Sequence, residues 1–174
     1  MPRSAAFELA ISRVLSHEGG YSNNPIDSGR ETMWGITSRT ARKWGYRGEM
    51  KYLPRETAID IYHSEYWLPI RGDDVPFPLA FLLFDGAVNS GPPQAIIWLQ
   101  RVLGVSDDGI FGPKTLAAVR GFEPLRFLFT ISERGEFQAD LPTWPAFGKG
   151  WARRNYKNIR FFIEDYLVER TLSK

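Results

Sequence analysis

The sequence predicts a mainly α fold, a helical bundle around a central apolar helix, with one small β-hairpin near residues 21–36. Three observations carry this. Apolar residues recur at helical spacing through most of the chain. The run LAFLLFDGAV, Leu79 to Val88, is apolar on nearly every side, the pattern of a helix buried in the middle of a bundle. Between Tyr21 and Thr37 the helical period stops, and Asn23-Asn24-Pro25 and Asp27-Ser28-Gly29 supply two turn signals in quick succession.

Each element follows from local chemistry. Phe7, Ala10, Ile11, Val14 and Leu15 make the inner face of a first helix over residues 4–17, which Gly19-Gly20 ends. Thr37 is an N-cap for a helix through Trp44, and Gly45 stops it. Pro54 opens a helix to Trp67 at its first position, with Ala58, Ile61, Tyr62 and Tyr66 on one face. Pro76 and Pro78 precede the central apolar helix. Pro92-Pro93 starts the next helix, which Gly104 ends, and a loop from Val105 leads into a helix over residues 114–120. Two more are expected, over residues 124–137 and 150–170. Nothing repeats, and no Ser/Gly or charged linker divides the chain.

Composition excludes several function classes. With 174 residues and a hydrophobic fraction of 43%, the chain can build one well-packed domain. There is no cysteine, so a thiol nucleophile and a cysteine-ligated zinc are excluded. A net charge of +2 gives no reason to expect a nucleic acid partner. Six Trp and seven Tyr suit flat ligands such as sugars, or a packed core. Phosphate-cradling glycine loops and a Gly-x-Ser-x-Gly elbow are absent. Asp107-Asp108-Gly109 begins like a calcium loop but lacks the later ligands, and His63 stands alone, so no metal and no cofactor are expected. The first residues carry Glu8 and Arg13 where a secretory segment is apolar, and no run approaches the ~18 apolar residues of a membrane span. Synthesis in the cytoplasm, without a signal peptide, is the expectation.

The stretch HEGGYSNNPIDSGRETMWGIT concentrates the chemistry. Glu18 closes the first helix, Asp27 follows after eight residues, and Thr32 after four more. A carboxyl at a helix end, dried by aromatic walls, holds a proton near neutral pH and can donate it to a glycosidic oxygen. Asp27 and Thr32 would orient a water on the other face. On spacing alone a second reading stays open, in which Glu18 bonds the helix end and Asp27 and Thr32 stabilise turns. The spacing resembles the Glu-x8-Asp-x5-Thr pattern of T-even-type phage lysozymes, one residue shorter in the second gap.

The wider string resembles the N-terminal signature of glycoside hydrolase family 108. It matches at Glu18, Gly19, Gly20, Tyr21, Pro25, Asp27, Gly29, Thr32, Gly35, Ile36 and Thr37, and departs at Arg30, where the family usually has a second glycine. DIYHSEYW resembles the family's aromatic helix, the segment from Leu79 to Val119 its adjoining peptidoglycan-binding region, and FGKGWARR its C-terminal pattern. The resemblance implies a lysozyme-like α+β fold; because a cut at Pro76 leaves too few residues in front for a cleft and a core, a single domain over 1–174 is expected, with a catalytic lobe at 1–75 and a helical lobe at 76–174. It implies hydrolysis of the β-1,4 bond from N-acetylmuramic acid to N-acetylglucosamine in peptidoglycan glycan strands, with Glu18 as the acid. It further implies a phage endolysin or a secretion-associated muramidase. Such a protein acts on the wall or periplasm after release through a holin or another export route. A lytic transglycosylase and a non-catalytic peptidoglycan-binding accessory protein are the alternatives.

Substrate contacts are expected from Tyr21 beside the acid, from Trp34 in the hairpin, and from Tyr62, Tyr66 and Trp67 on the aromatic helix. Asp85 and Asn89, four residues apart in the apolar helix, either touch the glycan or tie helices together. Lys149, Arg153, Arg154, Lys157 and Arg160 form a basic segment without an acid, which is either a solvated helix face or a contact for an anionic outer-membrane surface. A monomer is expected.

Overall fold

The computed structural model describes residues 3–15, 20–23 and 31–172. The chain divides into two compact units, Met1–Leu68 and Pro69–Lys174.

The first unit begins with α1 (Ala5–Leu15), which buries Phe7, Ala10, Ile11 and Val14. Ser4 caps it, its Oγ accepting from the Phe7 amide at 3.1 Å. Arg3 reaches Glu56 and Asp60, each at 2.6 Å. Instead of one hairpin, the chain forms a three-stranded antiparallel sheet of β1 (Ser22–Asn23), β2 (Glu31–Met33) and β3 (Ile36–Thr37), in that order. The third strand is one that a turn-rich reading of residues 21–36 conceals, because it is two residues long and shares Thr37 with a helix cap. Trp34 and Gly35 join β2 to β3, with φ of 54° and 75°. Two positive φ values in a two-residue loop define a type I′ turn, whose twist matches that of the strands it joins.

Thr37 then caps α2 (Ser38–Trp44), its Oγ1 accepting from the Thr40 amide. At the other end Gly45 takes φ 104° and donates to the Arg42 carbonyl, while Tyr46 donates to Ala41. This paired pattern is the Schellman motif, and it needs a residue that accepts the left-handed conformation. The helix α3 (Arg55–Tyr62) has Pro54 as its N-cap rather than its first residue, and it continues as a π-helical turn over His63–Trp67. The wider π turn shifts the register of everything after Tyr62. It places Trp67 wholly inside, edge-on to Phe7 at 5.6 Å between ring centres, with His63 at 4.8 Å from the same ring.

The second unit is helical. Its centre is α4 (Phe77–Ser90), buried continuously from Pro78 to Ala87. Around it lie α5 (Pro92–Leu103), α6 (Pro113–Arg120), α7 (Phe129–Ala139) and α8 (Trp144–Leu172). A 3₁₀ turn at Pro124–Leu128 replaces the first part of the helix expected from residue 124. The last helix begins six residues earlier than expected, since Pro145 fits a first helical turn where its missing N–H is no loss. The string Asp-Gly-Ile-Phe-Gly-Pro-Lys-Thr forms a loop and the first turn of α6, organised by the buried Gln100. That side chain donates to Asp108 Oδ1, the Ile110 carbonyl and Thr115 Oγ1, and accepts from the Gly109 amide.

One polar cluster lies inside this apolar unit. Asp85 of α4 is 2% exposed, and its carboxylate accepts from Arg134 of α7 at 2.7 Å, Arg154 of α8 at 2.8 Å and Asn158 of α8 at 2.6 Å. Burial pushes the Asp85 carboxyl up, but Arg134 and Arg154 more than offset this and hold it below its ordinary value. Removing one partner of such a buried pair strands the others without counter-charge. Asp85→Ala is therefore expected to lower the unfolding free energy by about 3–5 kcal/mol in urea titrations. Because the folded-state pKa is depressed, the stabilisation from Asp85 is complete above the unfolded value of about 3.9 and declines as pH falls below it. In Asp85→Ala that part of the acid sensitivity is expected to disappear.

Candidate active site

Glu18 and Asp27 lie outside the described residues, as do His17, Pro25, Gly29 and Arg30. What the structure places is the sheet that flanks them in sequence. Thr32 sits in the central strand, paired with Ser22 on one side and Thr37 on the other. Directly paired residues share a sheet face, so Ser22, Thr32 and Thr37 form a row of three hydroxyls. The next pair, Met33 and Ile36, occupies the opposite face, and Ile36 is fully buried. Alternation thus turns Thr32 away from the side that packs.

Tyr21 is 45% exposed, and its hydroxyl donates to Glu31 Oε1 at 2.9 Å. That bond raises the phenol pKa. A carboxylate that needs the proton of its neighbour holds the ring in place beside the strands.

Trp34 is held from both ends. Its indole Nε1 donates to the Leu53 carbonyl at 3.0 Å, and its own carbonyl accepts from the Tyr62 hydroxyl at 2.9 Å. A bulky residue at positive φ is disfavoured unless its surroundings impose it, and these two bonds do so. Tyr62 is 1% exposed and supports the sheet through its bond to the Trp34 carbonyl, whereas Trp67 is fully buried and packs on Phe7 of α1. This differs from the sugar contact expected of them, and the π turn explains Trp67. Tyr66 stays partly exposed, its ring 5.5 Å from Tyr62. Burial pushes its phenol up, against a hydrogen bond with Thr40.

In the second unit the two polar residues of α4 part company. Asp85 ties three helices together, the second of the roles its position allowed. Asn89 is exposed, with its Oδ1 3.3 Å from Gln138 Nε2. The basic segment also divides. Lys149, Arg153, Lys157 and Arg160 are exposed, but Arg154 turns inward to Asp85. Arg134, Asn158 and Gln138 were not among the sequence candidates, and Arg154 was named only as one cation of the basic segment. Their signal was indirect, since a carboxylate in an apolar helix requires buried donors elsewhere in the chain.

The family model described as Glycosyl hydrolase 108 matches residues 11–91, and one described as Predicted Peptidoglycan domain matches residues 94–156. No curated protein matches. The solved structure of Brucella abortus SagA is 37% identical, with a TM-score of 0.86, and the match covers 91% of this chain and 94% of that one. The chain belongs to glycosyl hydrolase family 108. A family 108 member with a peptidoglycan region is a glycoside hydrolase directed at peptidoglycan. Its mainly helical, lysozyme-like fold with one small sheet agrees with the expectation from sequence.

For this glycosyl hydrolase the Trp34 turn is open to direct test. Tyr62→Phe removes one hydroxyl and leaves the Trp34 carbonyl without its donor. The expected loss is about 0.5–1.5 kcal/mol of unfolding free energy, the net worth of a hydrogen bond, since this one is only partly buried. Urea unfolding measures it, and an unchanged midpoint would show that the hydroxyl does not hold the turn.

Proposed function

We propose that the protein is an N-acetylmuramidase that hydrolyses the β-1,4 bond between N-acetylmuramic acid and N-acetylglucosamine, and that it serves as a phage endolysin. The observation that carries this is family 108 membership together with the Glu18, Asp27 and Thr32 set. Glu18 gives its proton to the glycosidic oxygen as the bond to the sugar carbon breaks. Positive charge develops at that carbon, and water attacks it. Asp27 and Thr32 orient the water, with Thr32 as its hydroxyl partner and Asp27 as the acceptor of its proton.

The hydroxyl row across the sheet supports a polar, water-holding face at Thr32. The match over residues 94–156 supports peptidoglycan as the polymer on which the enzyme acts. We place its action at the wall, after release through a holin or another export route. The exposed cations of α8 support a contact with an anionic surface there.

Glu18→Gln keeps the side-chain size and removes the proton. Turbidity loss of purified sacculi is expected to fall at least about 100-fold, the scale of general acid catalysis. A folded Glu18→Gln variant that digests at the wild-type rate would overturn the assignment. Mass spectrometry of the wild-type products decides the reaction. Reducing ends are expected, anhydro ends would identify a lytic transglycosylase, and binding without release would identify a non-catalytic binder.

A further inference from the structure

A cavity of about 500 Å³ opens beside the loop that Gln100 organises. That is within the span of about 300–1,000 Å³ that small-ligand sites occupy. Its lining comes from the end of α5, from the loop and from the first turn of α6, all inside the peptidoglycan match over residues 94–156.

The polar groups at its floor have a fixed polarity. Gln100 accepts through Oε1 from the Gly109 amide at 2.9 Å and donates through Nε2 to the Ile110 carbonyl at 3.1 Å. A backbone N–H can only donate and a carbonyl can only accept, so the Gln100 amide has one orientation. Nε2 therefore also donates to Asp108 Oδ1 at 2.8 Å and to Thr115 Oγ1 at 3.2 Å. Thr115 is 3% exposed and lines the cavity. Its oxygen accepts from Gln100, so its own proton turns elsewhere, and among the described residues no acceptor meets it.

Two opposite charges share the lining. Asp108 and Lys114 are both exposed. Bonds from the Ile110 amide and Gln100 hold the Asp108 carboxyl below its ordinary value, and the charge of Lys114 adds to this. Both bonds go to Oδ1. Among the described residues Lys114 makes no ion pair, with Asp108 or with any other acid. The cavity thus offers an anion, a cation and a buried hydroxyl proton, and Val105 and Ile110 add apolar surface.

We propose that this cavity binds the peptide stem of peptidoglycan through the zwitterionic end of its diamino acid. The ammonium meets Asp108, the carboxylate meets Lys114 and the Thr115 hydroxyl, and the methylene chain lies against Val105 and Ile110. The proposal rests on peptidoglycan being the polymer, and it adds which part of the polymer is held. A strand of N-acetylated sugars brings hydroxyls and acetamido groups, and no cation. The stem peptide brings an ammonium and a carboxylate together, which matches the charges of the cavity. Such a contact separates peptidoglycan from polymers of N-acetylglucosamine alone.

The tripeptide N-acetyl-L-Ala-γ-D-Glu-meso-diaminopimelic acid has no glycosidic bond, so the full-length enzyme binds it without turnover. Calorimetry compares it with two derivatives, one acetylated at the terminal amine of the diamino acid and one amidated at the adjacent carboxylate. The wild type is expected to bind the unmodified peptide about 3- to 10-fold more tightly than either, the scale of one charged contact at an exposed site. Asp108→Asn keeps the oxygen that Gln100 and Ile110 bond and removes the charge. It is expected to lose the discrimination against the acetylated peptide and keep the other. Lys114→Met keeps the methylene stem and is expected to do the reverse. Damage to the loop weakens all three peptides alike and cannot give this crossed pattern. If Asp108→Asn fails to fold, Lys114→Met decides by itself, at an exposed position without an ion pair.

Equal binding of the three peptides by the wild type, or a folded variant that loses neither discrimination or both, would overturn the proposal. So would free diaminopimelic acid binding as tightly as the tripeptide, which assigns the cavity to a small solute. Displacement of the tripeptide by peptide-free glycan strands assigns it to the sugars and overturns the proposal too. Digestion of sacculi by the wild type is scored separately. Digestion without peptide binding sinks this contact alone, and peptide binding without digestion sinks the hydrolase reading alone.

Discussion

The second unit depends on one carboxylate. Asp85 lies in the middle of a helix that is otherwise apolar on all sides, and it collects donors from two other helices. Hydrophobic burial is non-directional, so apolar faces alone let α7 and α8 slide or rotate against α4 with little penalty. A buried ion cluster does not. Desolvating an isolated charge costs several kcal/mol, and only a near-ideal set of partners offsets it. Any register of α7 or α8 that moves Arg134, Arg154 or Asn158 away strands a charge in the core. The cluster therefore specifies the arrangement more than it stabilises it. Two cations around one acid also leave an excess positive charge, which Gln138 and Asn155, placed beside Arg134 and Arg154 in their helices, border with neutral amides.

The first unit has an equivalent constraint in its sheet. Three short strands hold few ladder hydrogen bonds, and so small a sheet is marginal without outside support. Support comes from Tyr62 and Leu53, which fix the Trp34 turn from opposite sides. Most I′ turns put Asn or Gly where this chain has Trp. The indole gains a hydrogen bond that a smaller residue could not make, and this offsets the strain at φ 54°. Because β2 leads straight into the turn, the same latch sets the position of Thr32.

Much of this was legible in the sequence, and the reasons are local. Gly45 and Gly104 end helices, and both adopt the left-handed conformation that makes glycine the favoured stop. Thr37 caps α2 and Pro92 starts α5, as their side chains dictate. The reading failed where structure depends on distant partners. The π turn at His63–Trp67 has no signature in its five residues, because what favours it is the distant place that Trp67 takes against Phe7. Arg154 looked like one of five solvated cations, because nothing local marks which of them faces Asp85, 69 residues away. Three strands were condensed into one hairpin because strands of two residues carry no periodicity. Of the candidate site, Thr32, Tyr21 and Trp34 gather at the sheet, whereas Tyr62, Trp67 and Asp85 proved to be buried. Aromatic and polar residues in a helix give the same pattern whether they line a groove or support one.

The family matches and the packing divide the chain at different places. The hydrolase match ends at residue 91 and the peptidoglycan match begins at 94, between α4 and α5. The compact units divide at Leu68. So α4 lies within the hydrolase match, yet its side chains make the core around which the peptidoglycan region folds. At the other end the match stops at residue 156, inside α8 and before Asn158, which bonds to Asp85. A segment cut to residues 94–156 would lose the buried acid and keep both of its arginines. It would also uncover the face of α5 that packs on α4, where Gly86 lets the Trp98 ring approach closely enough to leave only 3.2 Å for an added Cβ. The peptidoglycan match does not coincide with a compact unit of its own. Its residues take their core and their charge balance from the helix that ends the hydrolase match.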